Sequence, residues 1–83
     1  MVTLGNMHKH HRKILVNVGN KLRTIRQEKA KLTIGSCAKL SGVSKGNISK
    51  VENGKGDFGL ITLYKICWTL GVEPSSVLPA FLR

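Results

Sequence analysis

Between residues 33 and 54 the chain carries two helix starts and two helix stops in quick succession, and this constrains its fold more than any other feature of its 83 residues. Thr33 is a side chain of the kind that accepts hydrogen bonds from the open amides of a helix start, which predicts a short helix over 34–41. Gly42 then stops it, because glycine enters the left-handed conformation that ends a helix at little cost. After only Val43 comes Ser44, a second capping residue, which predicts another helix over 45–53 before Gly54. Two helices joined by so tight a turn must pack across one another. Ala38 keeps their crossing close, and Val43, Ile48 and Val51 bury the contact. With these inward, Lys45, Gly46, Ser49 and Lys50 are left on the outside of the second helix.

The remaining periodicity is also helical. Ile14, Leu15, Val18, Leu22 and Ile25 recur at steps of one, three and four, giving one apolar stripe on a helix that runs from about His11 to Lys29. Gly19 inside that helix costs about 1 kcal/mol relative to alanine, which suggests that another backbone passes close by. Residues 1–10 show no clear period and are expected to be a flexible arm. The segment 54–59 reads as a loop, followed by a helix over 60–70 with Leu60, Leu63, Ile66, Cys67 and Leu70 inward and Gly71 at its end. Glu73-Pro74 opens a fifth helix, whose apolar face is Val77, Leu78, Phe81 and Leu82. Tyr64 and Trp68 are expected to be packing residues. No strand pattern or internal repeat is visible. The expectation is an all-α, five-helix domain over residues 11–83.

Charge narrows the function. Fourteen Lys and Arg face four acids, a formal charge of +10, and such an excess concentrates polyanions at the surface. Nucleic acid is the first candidate and an anionic membrane the second. The membrane is disfavoured, because no apolar run approaches the roughly 18–20 residues of a spanning helix. The basic N-terminal part also lacks an interfacial aromatic. The short stretch Ile14-Leu15-Val16, cut by Asn17, does not resemble a secretory signal, so the expected location is the cytoplasm. Cys37 and Cys67 do not make a disulfide framework and read as small core residues. His8, His10 and His11 lack a second set of ligands, so a solvated or DNA-facing arm is expected rather than a metal site. The acids are scattered, and no glycine fingerprint or nucleophile–base arrangement is present. Neither an enzyme nor a cofactor is expected.

The whole string resembles the Cro and phage-repressor helix-turn-helix family, often called the XRE family. The resemblance rests on Val18-Gly19-x-x-Leu22-Arg23-x-x-Arg26, Leu32-Thr33, Ala38-x-x-Ser41-Gly42-Val43-Ser44, Ile48-Ser49-Lys50-Val51-Glu52-Asn53-Gly54 and Thr62-Leu63-x-x-Ile66-x-x-x-Leu70-Gly71-Val72, in that order and spacing. It implies a lambda-repressor-like domain that regulates transcription by binding double-stranded DNA, with its helix-turn-helix at 33–54. In such a motif the N-terminal part of the second helix enters the major groove, which makes Lys45, Gly46, Ser49 and Lys50 the expected base-side residues. Phosphate contacts are expected at Thr33, Ser44, Asn47, Asn53 and Lys55, and Arg26 with Glu52 resembles the family's buried ion pair. Two recognition helices about 34 Å apart call for a homodimer on an inverted repeat, and the resemblance implies repression by promoter covering and a dimer patch at Leu78, Phe81 and Leu82. The chain departs from the family pattern at Ile34, where glutamine is usual, at Cys37, Leu40 and Cys67, and in Lys29-Ala30-Lys31, which is one residue longer. The alternative is an antitoxin-like or adaptor protein whose main partner is another protein, served by Leu40 and the C-terminal apolar residues.

Overall fold

A computed structural model describes residues 4–56 and 58–80. Among the described residues five α-helices follow one another: α1 (Leu4–Thr24), α2 (Ile34–Ser41), α3 (Lys45–Glu52), α4 (Leu60–Leu70) and α5 (Pro74–Val77). No strand occurs among the described residues. Thr33 caps α2 by accepting from the Ser36 amide at 3.0 Å, and Ser44 caps α3 by accepting from the Asn47 amide at 3.2 Å. Gly42 closes α2 at φ +76°. These local signals fix both helices and the turn between them.

Among the described residues eleven apolar side chains form the core, with Leu22, Cys37, Ile48, Cys67 and Val77 fully buried. Val18 and Leu22 supply the centre of the α1 stripe, and Ile14 and Ile25 pack at its margins. α1 lies across α3 so closely that a Cβ at Gly19 would collide with the Val51 carbonyl oxygen and stand 2.8 Å from that of Glu52. The glycine is therefore required by the crossing. Gly19→Ala gains up to about 1 kcal/mol of helix propensity. It must also push α1 off α3, and overpacking of this kind costs about 1–3 kcal/mol and more against unyielding backbone. We expect a net loss near 2 kcal/mol and a fall in Tm of roughly 8–16 °C in thermal unfolding. An unchanged or raised Tm would mean that the two helices do not cross there.

α1 runs on into a wide turn. Residues Ile25–Lys29 continue α1 as a π-helix, in which the Ala30 amide bonds to the Ile25 carbonyl at 2.8 Å. A π-turn accommodates one added residue without breaking the helix. Lys31 then takes a left-handed φ of +55°, a local strain of about 1–2 kcal/mol for a side chain with a Cβ.

Four expectations are corrected. Residues 4–10 belong to α1 instead of an irregular arm. The last helix is a single turn rather than a continuous helix past Val77, because Pro79 pushes Leu78 into an extended conformation (φ −81°, ψ 146°). Leu60, expected inward, is 74% exposed. Tyr64 and Trp68, expected to pack, are also exposed, Trp68 by 71%. Phe81 and Leu82 lie outside the described residues.

Candidate nucleic-acid interface

The outer face of the α2–α3 unit gathers positive charge at helix starts. Lys45, Gly46, Asn47 and Lys50 are exposed on α3, and nothing stands within 4 Å of the place where a Gly46 side chain would be. The Lys45 side chain folds back over the first turn of α2, its Cε 3.3 Å from the Cβ position of Gly35. Its ammonium group thus shares a small region with the N-terminal end of α2, which itself carries about half a positive charge. Two positive poles side by side repel each other, and an anion placed between them removes that cost. Lys45 is accordingly as well placed for a phosphate at the Thr33 cap as for a base edge.

A second positive recess lies at the other end of α3. Asn47, Lys50, Lys55, Phe58 and Thr62 line a groove of about 310 Å³ between α3, the loop and the start of α4. α4 begins at Gly59 with no side-chain cap, so its first amides face outward without an intramolecular side-chain acceptor. Lys55 is held at the lip, its amide bonded to the Lys50 carbonyl at 2.9 Å.

Behind this surface Arg26 and Glu52 meet inside the protein. Nε of Arg26 donates to Oε2 of Glu52 at 2.7 Å and Nη2 donates to Oε1 at 2.9 Å, while Nη1 donates to the Leu32 carbonyl at 2.8 Å. Both residues are nearly fully buried, at 6% and 3% exposed. The bond to Glu52 raises the Arg26 pKa above its ordinary value, outweighing desolvation, so the guanidinium stays charged. The pair locks the end of α1, the π-turn and the C-terminal end of α3 into one body. Burial raises the Cys37 pKa, with a further push from the Glu52 charge, and raises that of Cys67 to about 11. Both thiols stay protonated at neutral pH and serve as small packing groups.

Sequence reasoning missed Arg23. One turn before Arg26, its Nε lies 3.6 Å from Glu52 Oε1 and its Nη2 donates to Asn53 Oδ1. Asn53 in turn donates from Nδ2 to the Ser49 carbonyl at 2.8 Å and to Ser49 Oγ at 3.2 Å. Ser49 and Asn53 are therefore tied into a bracket that runs to α1, where a free base contact and a free phosphate contact were expected. The i, i+3 spacing of Arg23 and Arg26 was the available signal, since it sets both guanidinium groups toward one acid. Leu78 is half-buried and packs against the core. Leu40 is 64% exposed, as its sequence position suggested. Among the described residues His11 is exposed, and no helix is long and apolar enough to cross a membrane.

Comparisons with known proteins agree with this geometry. The helix-turn-helix family HTH_3 matches residues 22–77. The chain is 36% identical over 64 residues to control protein C.MunI from Mycoplasma sp, covering 77% of this chain and 86% of that one. Its fold is similar to the restriction-modification controller protein C.AhdI from Aeromonas hydrophila, with a TM-score of 0.71, 31% identity, and coverage of 77% of this chain and 96% of that one. It is also similar to an HTH_3 family transcriptional regulator from Vibrio cholerae, at a TM-score of 0.73 and 25% identity, covering 81% of this chain and 37% of that one.

Proposed function

The chain belongs to the HTH_3 helix-turn-helix family, and from that premise we propose that it is a sequence-specific, double-stranded DNA-binding transcriptional regulator of the restriction-modification controller type. It is a binding protein and not an enzyme. The observation that carries this reading is the uncovered N-terminal end of α3, with Lys45 and Lys50 exposed beside the capped start of α2. In the major groove, Lys45, Gly46, Ser49 and Lys50 face base edges, and the open space at Gly46 lets the backbone approach. Thr33, Ser44, Asn47, Asn53 and Lys55 hold the flanking phosphates and set the register, Asn53 by exchanging its internal bonds. The regulator acts in the cytoplasm as a homodimer on an inverted repeat, repressing transcription by occupying promoter DNA.

Selection from a random duplex pool tests the reading. The expected product is an inverted repeat whose half-sites lie about one helical turn, 34 Å, apart. With about eight phosphate contacts per dimer, affinity should fall by roughly four orders of magnitude between 50 and 200 mM salt. A pool that yields no enriched sequence overturns the proposal.

A further inference from the structure

Ser49 is half-buried on α3, one turn beyond Lys45 and Gly46, and its hydroxyl is already engaged from one side. The side-chain amide of Asn53 links it to α1. Oδ1 of Asn53 accepts from Arg23 Nη2, while Nδ2 donates to the Ser49 carbonyl at 2.8 Å and to Ser49 Oγ at 3.2 Å. Both ends of this amide admit one orientation only. A guanidinium donates and never accepts, so it takes the amide oxygen; a carbonyl accepts and never donates, so it takes the nitrogen. Ser49 Oγ must therefore be the acceptor in its bond with Asn53. Its own proton is left over, and no acceptor among the described residues receives it. Arg23 is held in turn, its Nε 3.6 Å from Glu52 Oε1, and Glu52 is fixed by Arg26 in the core.

We propose that the Arg23–Asn53 bracket sets the polarity of Ser49, so that its hydroxyl meets DNA as a donor and selects a base edge that accepts. An unconstrained serine serves donors and acceptors alike and discriminates little. Here the two roles differ in cost. Donating to a base uses the spare proton and leaves the bond from Asn53 intact. Accepting from a base strands that proton, because the Asn53 side is closed to it and no other acceptor is in reach. In the major groove guanine offers N7 and O6 and thymine offers O4, whereas the polar group of cytosine is an amino donor. Guanine and thymine are therefore favoured under Ser49, and cytosine is the poorest fit. A phosphate at Asn53 takes the Nδ2 hydrogen otherwise given to the Ser49 carbonyl, which keeps the Asn53 backbone amide at 3.0 Å. Arg23 then is the group that holds the amide oxygen away from Ser49. It is a positioning residue, acting on the base through Asn53 and Ser49. The inference rests on the DNA-regulator reading, which brings a duplex to α3.

Competition among four duplexes that differ only in the base pair under Ser49 tests the proposal at one salt concentration. That pair is the one at which Ser49→Ala erases the preference of the wild type. The wild type should bind guanine or thymine there roughly tenfold more tightly than cytosine. Arg23→Met frees the Asn53 amide to turn its oxygen toward Ser49, and the ratio should shrink to about twofold or less. Its helical circular dichroism should be retained, since Arg23 is partly exposed. Asn53→Asp gives Ser49 a partner that only accepts. The hydroxyl then donates inward and turns a lone pair to the groove, so the preference should reverse toward cytosine. The added negative charge weakens all four duplexes alike and leaves their ratios to report polarity. A wild type that prefers cytosine overturns the proposal. So does a preference that survives Arg23→Met or Asn53→Asp unchanged, which would make the bracket a structural tie only. Ser49→Ala that alters no base-pair preference overturns it too. Each of these results leaves the regulator reading standing. A wild type that distinguishes no base pair at any position overturns the regulator reading, and the inference with it.

Discussion

Replacing Glu52 by leucine should come close to unfolding the protein. The change leaves the Arg26 guanidinium 6% exposed, with one backbone carbonyl at Leu32 as its partner. Removing one member of a buried ion pair costs about 3–5 kcal/mol, because the other charge remains in a medium that solvates it poorly. A domain of this length has a total stability of about 4–12 kcal/mol. The expected loss is therefore a large share of what holds the fold. In urea, with a slope near 1 kcal/mol/M, the midpoint should drop by about 3 M or the variant should be unfolded at the outset. The double change Arg26→Met/Glu52→Leu removes both charges, and should recover most of the stability because the stranded charge is gone. A single Glu52→Leu variant that loses less than about 1 kcal/mol would show that the pair is solvated, contrary to its burial.

The second large effect concerns binding. Lys45→Glu/Lys50→Glu alters exposed side chains and should leave Tm within a few degrees of the wild type. It removes two cations from the surface that meets DNA and places two anions there. In a dimer four positive charges facing the DNA are lost and four repulsive ones gained. Affinity for a selected site should fall by at least roughly 1,000-fold at low salt, and the slope of log affinity against log salt should flatten. The same two reversals at Lys21 and Lys29, which share a surface of α1 and the π-turn with none of the proposed DNA-contacting residues, change the net charge equally and should cost far less. If both pairs reduce affinity to the same degree, binding depends on the overall charge and not on α3.

Much of this fold could be read from local chemistry. Thr33, Gly42 and Ser44 each act on amides or carbonyls within a few residues, so their spacing sets α2, the turn and α3 without reference to the rest of the chain. Gly19 was informative for the same reason, since a costly residue in a helix interior implies a neighbour that needs the space. α4 was read less well. Its sequence Leu-Ile-Thr-Leu-Tyr-Lys-Ile-Cys-Trp-Thr-Leu is apolar on nearly every side, and periodicity cannot say which side meets the core. Leu60, Tyr64 and Trp68 were therefore turned inward by expectation and outward by packing. The end of α5 was legible in principle, because a residue before proline avoids the helical region, and Leu78-Pro79 states that rule directly.

The site was legible where it depends on exposure and obscure where it depends on tertiary hydrogen bonds. Lys45, Gly46 and Lys50 follow from the inward placement of Ile48 and Val51. The Ser49–Asn53–Arg23 bracket does not, since Arg23 and Asn53 are 30 residues apart and meet only because α1 crosses α3. The Arg26–Glu52 pair was anticipated from a resemblance, but Arg26 reaches Glu52 from the π-turn at Ile25–Lys29, which no propensity signals.

The central claim is that the exposed start of α3 reads a particular duplex. The most direct measurement is the ratio of dissociation constants for a random and a selected duplex of equal length, taken in one buffer at physiological salt. A sequence-reading dimer should hold the selected site at least roughly 1,000-fold more tightly. A ratio near one, with both affinities falling steeply and equally as salt is added, would contradict it.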